Sequence, residues 1–347
     1  MNLKAAVFYG PKNVKIEEVK KPKPGPGEIL VKTSVALTCG TDLKTYLRGH
    51  PAIRPPIIMG HEYAGVVEEV GQGVDWVKPG DKVVTVVSAP CGHCTYCKLG
   101  RFNMCEHLWD EILGFSVNGA YAEYVRVPPR IARFGLYHIP ENVSFEEAAL
   151  LEPLSCVVRG CRLANIEIGD AVAIIGAGPI GLMHLMLAKL SGARKLIMID
   201  ISEDRLKFAK EFGADITINP RNENIIERVK EETEGLGADV VIEAVGKPET
   251  WEQTLSLARK GGTILLFGGC PSGTKVSFDT FTIHYRELTI RGSQHYTPQD
   301  TIRAFRMILS KKLSLRKLIT GTAKLEELEL VFERIRIGKE LKVAFKF

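Results

Sequence analysis

Residues 171–190 read AVAIIGAGPIGLMHLMLAKL, and this stretch decides the fold. It opens on a short β-branched strand (Val172, Ile174, Ile175), turns through Gly176-Ala177-Gly178-Pro179-Ile180-Gly181 and runs on as an apolar helix. A G-x-G-x-x-G between strand and helix is the phosphate-binding turn of a dinucleotide fold. Gly176 lets the chain reverse, Gly178 lets the backbone approach a pyrophosphate, and Gly181 lets helix and strand pack closely. Pro179 and Ile180 open the helix, whose unpaired N–H groups and positive end face the anion. No formally charged residue lies between 171 and 188, which would also suit a membrane span. Three glycines and a proline at its centre argue against that. The next strand ends in Asp200, nineteen residues beyond Gly181. A carboxylate there holds a ribose diol and repels the 2′-phosphate of NADP, so NAD is the expected cofactor.

Outward from this turn, residues 156–291 alternate strand and helix. Strands are expected at 171–175, 195–199, 215–218, 239–244, 263–267 and 288–290, with Ser202 capping one intervening helix and Pro248 in the first turn of another. That alternation predicts a doubly wound parallel sheet. Residues 1–155 read instead as short alternating strands (5–9, 29–37, 65–70, 82–87) divided by turns such as Pro24-Gly25-Pro26-Gly27. This is the pattern of a compact barrel-like β unit. Ser144 and Glu147 form a capping box at the start of a helical segment that reaches 164 and that Glu152-Pro153 interrupts. The tail, with helices near 298–311 and 325–337 and a strand at 341–347, is expected to rejoin the first unit. Residues 1–155 and 292–347 then form one discontinuous domain and 156–291 the other, with a cleft at the junction.

Two insertions in the first unit concentrate metal-binding side chains. Cys39-Gly40-Thr41-Asp42-Leu43-Lys44 is answered by Gly60-His61-Glu62-Tyr63-Ala64-Gly65, with His61 twenty-two residues after Cys39. Thiolate, imidazole and carboxylate are the ligand types of a catalytic zinc that keeps one position open. A zincin protease needs a second histidine four residues after the first; position 65 is Gly, which excludes that reading. Glu152 sits in an apolar run (Ala148, Ala149, Leu150, Leu151, Leu154), where an unpaired charge is costly and a metal would offset the cost. The second insertion, residues 91–105, carries Cys91, Cys94, Cys97 and Cys105 at C-x2-C-x2-C-x7-C. Four thiolates close a tetrahedron around a structural zinc, with an iron–sulfur cluster as the chemical competitor. His93 and His107 read as loop residues beside a completed coordination shell.

The 347 residues are 45% hydrophobic and 25% charged, enough for two domains with separate cores. A net charge of +5 is spread along the chain, so neither nucleic acid nor a membrane is an expected partner. The opening MNLKAAVFYG lacks the apolar core of a signal peptide. With cysteines at metal spacing, a reducing cytoplasmic setting is expected.

Taken in order, the motifs resemble the zinc-dependent medium-chain dehydrogenases over essentially the full length. They are Cys39-Gly40-Thr41-Asp42, the stretch from Gly60 to Gly65, Lys78-Pro79-Gly80-Asp81-Lys82-Val83, the four-cysteine lobe, Glu152-Pro153-Leu154 and Gly176 to Gly181. Glu152-Pro153-Leu154-Ser155 and His61-Glu62-Tyr63-Ala64-Gly65 look most like the polyol (sorbitol-type) and threonine dehydrogenase branches. The resemblance implies a GroES-like β-barrel catalytic domain and a Rossmann domain, two zinc ions per chain, and NAD. Its implied reaction is hydride transfer from a small-molecule secondary alcohol, a polyol first and L-threonine as the alternative. It also implies that Cys39 and His61 hold the catalytic zinc in the interdomain cleft, with Glu62 or Glu152 as third ligand and the other in reserve. Thr41 would accept the alcohol proton, Asp200 and Arg205 would contact the adenosine ribose, and Phe115 would line the substrate pocket. Relatives often carry histidine five residues after the zinc cysteine, near the end of the proton path; Lys44 stands there instead. A homo-oligomer is implied, a tetramer before a dimer. The reading from another class is a zinc-stabilised dinucleotide-binding protein without turnover. The intact set Cys39, Thr41, His61, Glu62 and Glu152 opposes it.

Overall fold

The computed structural model describes residues 2–347. The chain forms two compact units, one made of the chain up to Ser155 together with Tyr296–Phe347, the other of Cys156–His295. The return comes at Tyr296 rather than at 292, because Thr289–Gly292 is still paired as the last strand of the second unit's sheet. The first helix of the tail, Pro298–Ser310, starts only after its cap, Thr297.

In the second unit six parallel strands lie in the order Ile216–Ile218, Lys195–Ile199, Ala171–Ile175, Ala238–Glu243, Ala258–Leu266, Thr289–Gly292. Ala171–Ile175 is buried along its whole length, as a β-branched run covered by helices on both faces must be. The strand order reverses between Ala171–Ile175 and Ala238–Glu243, and at such a switch point the carboxyl ends of the strands leave a crevice for a ligand. Gly176 leaves the sheet there with φ of +104°. Helix Pro179–Leu190 follows at once with Gly178 as its cap. Ser202 caps the next helix through Arg205 N, and Pro248 opens Pro248–Leu257.

The first unit is built on a seven-stranded sheet. Its main path runs Ile319–Ala323, Lys342–Lys346, Ile29–Leu37, Glu62–Val70, Lys82–Thr85, Leu136–His138, and Tyr124–Val127 pairs with Ile29–Leu37. A three-stranded sheet of Asn13–Lys20, Asn2–Gly10 and Ile57–Ile58 accompanies it. The segment after Cys39 is a helix, Gly40–Arg48, whose first turn is capped by the Cys39 sulfur accepting from Thr41 N at 3.4 Å. One local reading differs. Glu152-Pro153 does not interrupt a helix. The break falls between Phe145–Ala148 and Leu151–Ala164, and Pro153 sits in the first turn of the second helix, where a missing N–H costs nothing. The capping box at Ser144 and Glu147 is present.

Candidate functional site

Three neighbouring strands bring one donor set together. In the first unit Glu62 faces Leu37 across one ladder and Ala344 faces Leu37 across the other, so Cys39, Glu62 and Lys342 converge where the central strand ends. Ligand atoms of Cys39, His61 and Glu62 all lie within 4.8 Å of one another. His61 and Glu62 are buried, at 4% and 0% exposure. Glu152 is not part of this set and lies partly buried in the first turn of Leu151–Ala164.

Each donor is held from behind. Asp42 Oδ1 lies 3.2 Å from His61 Nδ1, and Tyr121 Oη donates to Asp42 Oδ2 at 2.7 Å. A carboxylate on one ring nitrogen orients the other toward a cation and raises its basicity. The Tyr121 ring packs where a side chain at position 60 would stand: a Cβ on Gly60 would meet its Cδ1 at 2.3 Å, and Gly60 has φ of +89°. Lys342 Nζ donates to Glu62 Oε2 and, at 2.9 Å, to the Thr38 carbonyl. Glu62 Oε1 is buried with no hydrogen-bond partner.

Electrostatics follow the geometry. Burial pulls Lys342 down, but Glu62 and then Cys39 outweigh it and hold the ammonium above its ordinary value. Burial also opposes a charge on His61, yet Asp42 and Cys39 raise it well above the usual histidine range. A buried acceptor without a donor, between an imidazole and a thiol, is an expensive arrangement unless a cation sits among them. The donor set therefore fits a zinc ion. Beside it stands an aromatic wall: Phe115, nearly buried, has its ring 5.2 Å from those of both His61 and His50, and Trp109 lies 6.3 Å from Phe115. Burial, then the nearby His61 and Arg48, push His50 below its ordinary value. Thr41 is half-buried in the first helical turn and Lys44 is exposed on the same helix.

The four-cysteine lobe is preformed. Cys91 Sγ and Cys97 Sγ are 3.9 Å apart, as are Cys94 Sγ and Cys105 Sγ. Zinc–sulfur bonds of about 2.3 Å give tetrahedral edges of roughly 3.8 Å, so the spacing suits one ion and is too close to span a multi-iron cluster. The Cys97 N–H, first among the contacts, holds the Cys94 thiol down to about 6, while burial pushes Cys97 up to about 12. Only a cation ionises all four together.

In the second unit Asp200 ends Lys195–Ile199, and its carboxylate accepts from Ala177 N at 2.8 Å and Ser202 N at 2.9 Å. Arg205 Nη1 lies 3.9 Å from it. A Cβ on Gly181 would stand 1.8 Å from the Gly176 carbonyl oxygen, whereas one on Gly178 would meet nothing within 4 Å. Close packing is thus required at Gly181 and open space is kept at Gly178. The sequence reading assigned no role to Asp42, Tyr121 or Lys342. For Asp42 a signal existed, a carboxylate three residues after a metal-type cysteine. For Lys342 there was none, since it lies in a strand 280 residues from Glu62.

Comparison with known proteins agrees with this geometry. Residues 25–140 match the alcohol dehydrogenase GroES-like domain and residues 179–310 the zinc-binding dehydrogenase domain. The chain is 38% identical to L-threonine 3-dehydrogenase of Pyrococcus furiosus, covering 99% of this chain and 97% of that one. It is 34% identical to sorbitol dehydrogenase of Halalkalibacterium halodurans, covering 96% of each. Among solved structures it superimposes with a TM-score of 0.92 and 33% identity on a zinc-binding dehydrogenase from Sinorhizobium meliloti bound to NADP, covering 100% of both chains. Fold and sequence together define a GroES-like domain joined to a Rossmann domain. The chain belongs to the zinc-dependent medium-chain dehydrogenases, and its activity is NAD(P)-linked oxidation of an alcohol. Among the described residues no helix is long and apolar enough to cross a membrane.

Proposed function

We propose that the protein oxidises a secondary alcohol, a polyol or sugar alcohol before others, to the ketone with NAD as acceptor. The observation that carries the site is the unpartnered, buried Glu62 Oε1 beside Cys39 and His61. Cys39 Sγ, His61 and Glu62 Oε1 hold the catalytic zinc, with Glu152 in reserve on the neighbouring helix turn. When bound, the metal supplies a Lewis acid for the substrate hydroxyl and the nicotinamide supplies the hydride acceptor. Thr41 Oγ1 would relay the hydroxyl proton, accepting it while giving its own on toward the cofactor ribose and solvent, and Lys44, exposed one turn further along the helix, exchanges protons with solvent. Phe115 and its aromatic neighbours present an apolar face to the carbon chain of the substrate.

L-Threonine is the second reading. It is favoured by the relative of that name and by Arg48, whose charge acts on His50 beside the aromatic wall and suits a substrate carboxylate. Initial rates of NADH formation with sorbitol-like polyols, L-threonine and simple secondary alcohols decide between them. Preference for threonine overturns the polyol assignment while leaving the metal ligands in place.

Gly176, Gly178, Pro179, Ile180 and Gly181 form the pyrophosphate turn, and Asp200 with Arg205 the ribose site. Two outcomes test this. Asp200→Asn keeps an acceptor for the local N–H groups but removes the charge. It should cut kcat/KM for NAD by roughly ten- to a hundredfold, the worth of a charged hydrogen bond, while NADP use rises. Unchanged cofactor preference would remove Asp200 from the ribose site. Gly178→Ala should leave thermal stability within about 0.5 kcal/mol yet weaken dinucleotide binding, while Gly181→Ala should cost about 1–3 kcal/mol or more from overpacking. Equal melting temperatures for the two variants would refute the close-contact argument.

All eight cysteines are free of disulfides, which supports a reducing, cytoplasmic setting. The edge strand Thr289–Gly292 is largely exposed, as are Phe281 and Tyr285 on the preceding helix. These features support a homo-oligomer, with the tetramer expected from the family resemblance, and light scattering in solution measures its size.

A further inference from the structure

Outside the inner tetrahedron, the lobe carries a second set of donors. A nitrogen of His93, a nitrogen of His107 and the Cys91 sulfur all lie within 4.8 Å of one another. Cys91 is the half-exposed member of the four thiols, while Cys94, Cys97 and Cys105 are buried, and both histidines are exposed. The two imidazole rings are 5.6 Å apart at 33°.

Both rings are also held in one orientation. His93 Nδ1 is 3.1 Å from the Cys91 carbonyl oxygen, and His107 Nδ1 is 3.1 Å from Asp110 Oδ2. An acceptor at Nδ1 keeps the proton there and leaves the Nε2 lone pair for a cation, which is how metal-binding histidines are commonly prepared. Two surface loops at opposite ends of the lobe sequence supply the same preparation. Solvated loop histidines need no such arrangement.

We propose that Cys91, His93 and His107 form an outer zinc site at the mouth of the lobe, sharing the Cys91 thiolate with the four-thiolate site and passing Zn2+ into and out of it. The ligand types suit borderline divalent cations such as Zn2+ and Co2+. An incoming ion binds the two imidazoles and the exposed sulfur first. Cys91 passes from the inner ion to the incoming one, Cys94, Cys97 and Cys105 then transfer in turn while water takes their places on the outgoing Zn2+, and the hydrated ion leaves, so only metal–ligand bonds are made and broken. Cys91 is the one thiolate of the four that solvent can reach in this way. Without the histidines an exchanging ion must wait for spontaneous release from four thiolates.

Zinc-replete holoenzyme incubated with excess Co2+ tests this directly, because the absorption of a four-thiolate cobalt centre grows only as the lobe zinc is replaced. In the wild-type chain the exchange rate should rise with Co2+ and saturate, reflecting binding before transfer. In His93→Ala/His107→Ala it should be about tenfold slower, with the same end point. Asp110→Asn, which loosens only the His107 ring, should fall between the two and checks that slowing is not a consequence of a damaged lobe. Equal rates in wild type and double variant would overturn the proposal, and so would a wild-type rate independent of Co2+ concentration.

Discussion

Lys342→Met is expected to lower the stability of the protein by about 3–5 kcal/mol, the usual cost of leaving one partner of a buried ion pair alone. Lys342 is 2% exposed and Glu62 0%, so water cannot replace the lost ammonium. Glu62 then has two buried oxygens without donors and is driven toward its protonated form, in which it is a poor metal ligand. The zinc content should fall from two ions per chain to one, the lobe zinc remaining. Glu62→Gln alone should also destabilise, since the amide oxygen can still accept from Lys342 but the buried ammonium loses its countercharge and keeps only neutral acceptors, this amide and the Thr38 carbonyl. The double variant Glu62→Gln/Lys342→Met removes both charges. It should recover a large part of the loss, giving a favourable coupling in a double-mutant cycle. Because Lys342 is held above its ordinary value, its contribution is complete below the normal lysine range and is lost only as pH rises through the raised value. The pair in the wild-type chain should therefore stay intact through neutral pH. Denaturant unfolding with metal analysis provides the check. A Lys342→Met protein within 1 kcal/mol of wild type and still holding two zinc ions would show that the pair does not position Glu62.

Much of the fold was legible because its signals are local. The strand, turn and helix around Gly176 lie within twenty residues, and the strands of the second unit occur where hydrophobic runs and turn residues place them, except that the one expected at 263–267 begins at Ala258. The four-cysteine lobe was equally legible, since its ligands fall within one short insertion. The helix after Cys39 is not legible in the sequence because its cap is a cysteine. Sulfur is not among the usual capping groups, yet the Thr41 N–H points at it. The break before Glu152 was misplaced because proline reads as a breaker unless its position within the first turn is known. Long-range partners were the least legible. Nothing near Glu62 announces a lysine 280 residues later, and the choice between Glu62 and Glu152 depends on which carboxylate the strand register carries to Cys39. That register is set by Leu37 facing Glu62 and Ala344, a property of three strands together.

Cys39→Ser and His61→Ala are each expected to abolish measurable turnover while leaving dinucleotide affinity within about twofold of wild type, since neither changes a cofactor contact. Residues Gly176 to Arg205 all belong to the unit Cys156–His295, whereas Cys39 and His61 belong to the other. Serine is an instructive replacement at position 39, because a hydroxyl there caps helix Gly40–Arg48 at least as well as sulfur. Any loss is then assignable to the missing thiolate rather than to a frayed helix. A Lewis acid removed from the reacting oxygen costs several kcal/mol of barrier, and about 4 kcal/mol is already roughly a thousandfold in rate. Asp42→Asn should act in the same direction but less, by about ten- to a hundredfold, because it loosens the His61 ring without deleting a donor. In the metal-free protein His61 is held well above the usual histidine range, so a proton competes with the ion for its lone pair. Zinc restored to stripped enzyme should consequently bind more weakly as the pH is lowered and more tightly as it is raised. Calorimetric titration with NAD, run beside steady-state rates for each variant, separates the two functions. Normal rates in Cys39→Ser would refute the metal assignment, and a parallel loss of NAD binding would show that the two units do not act independently.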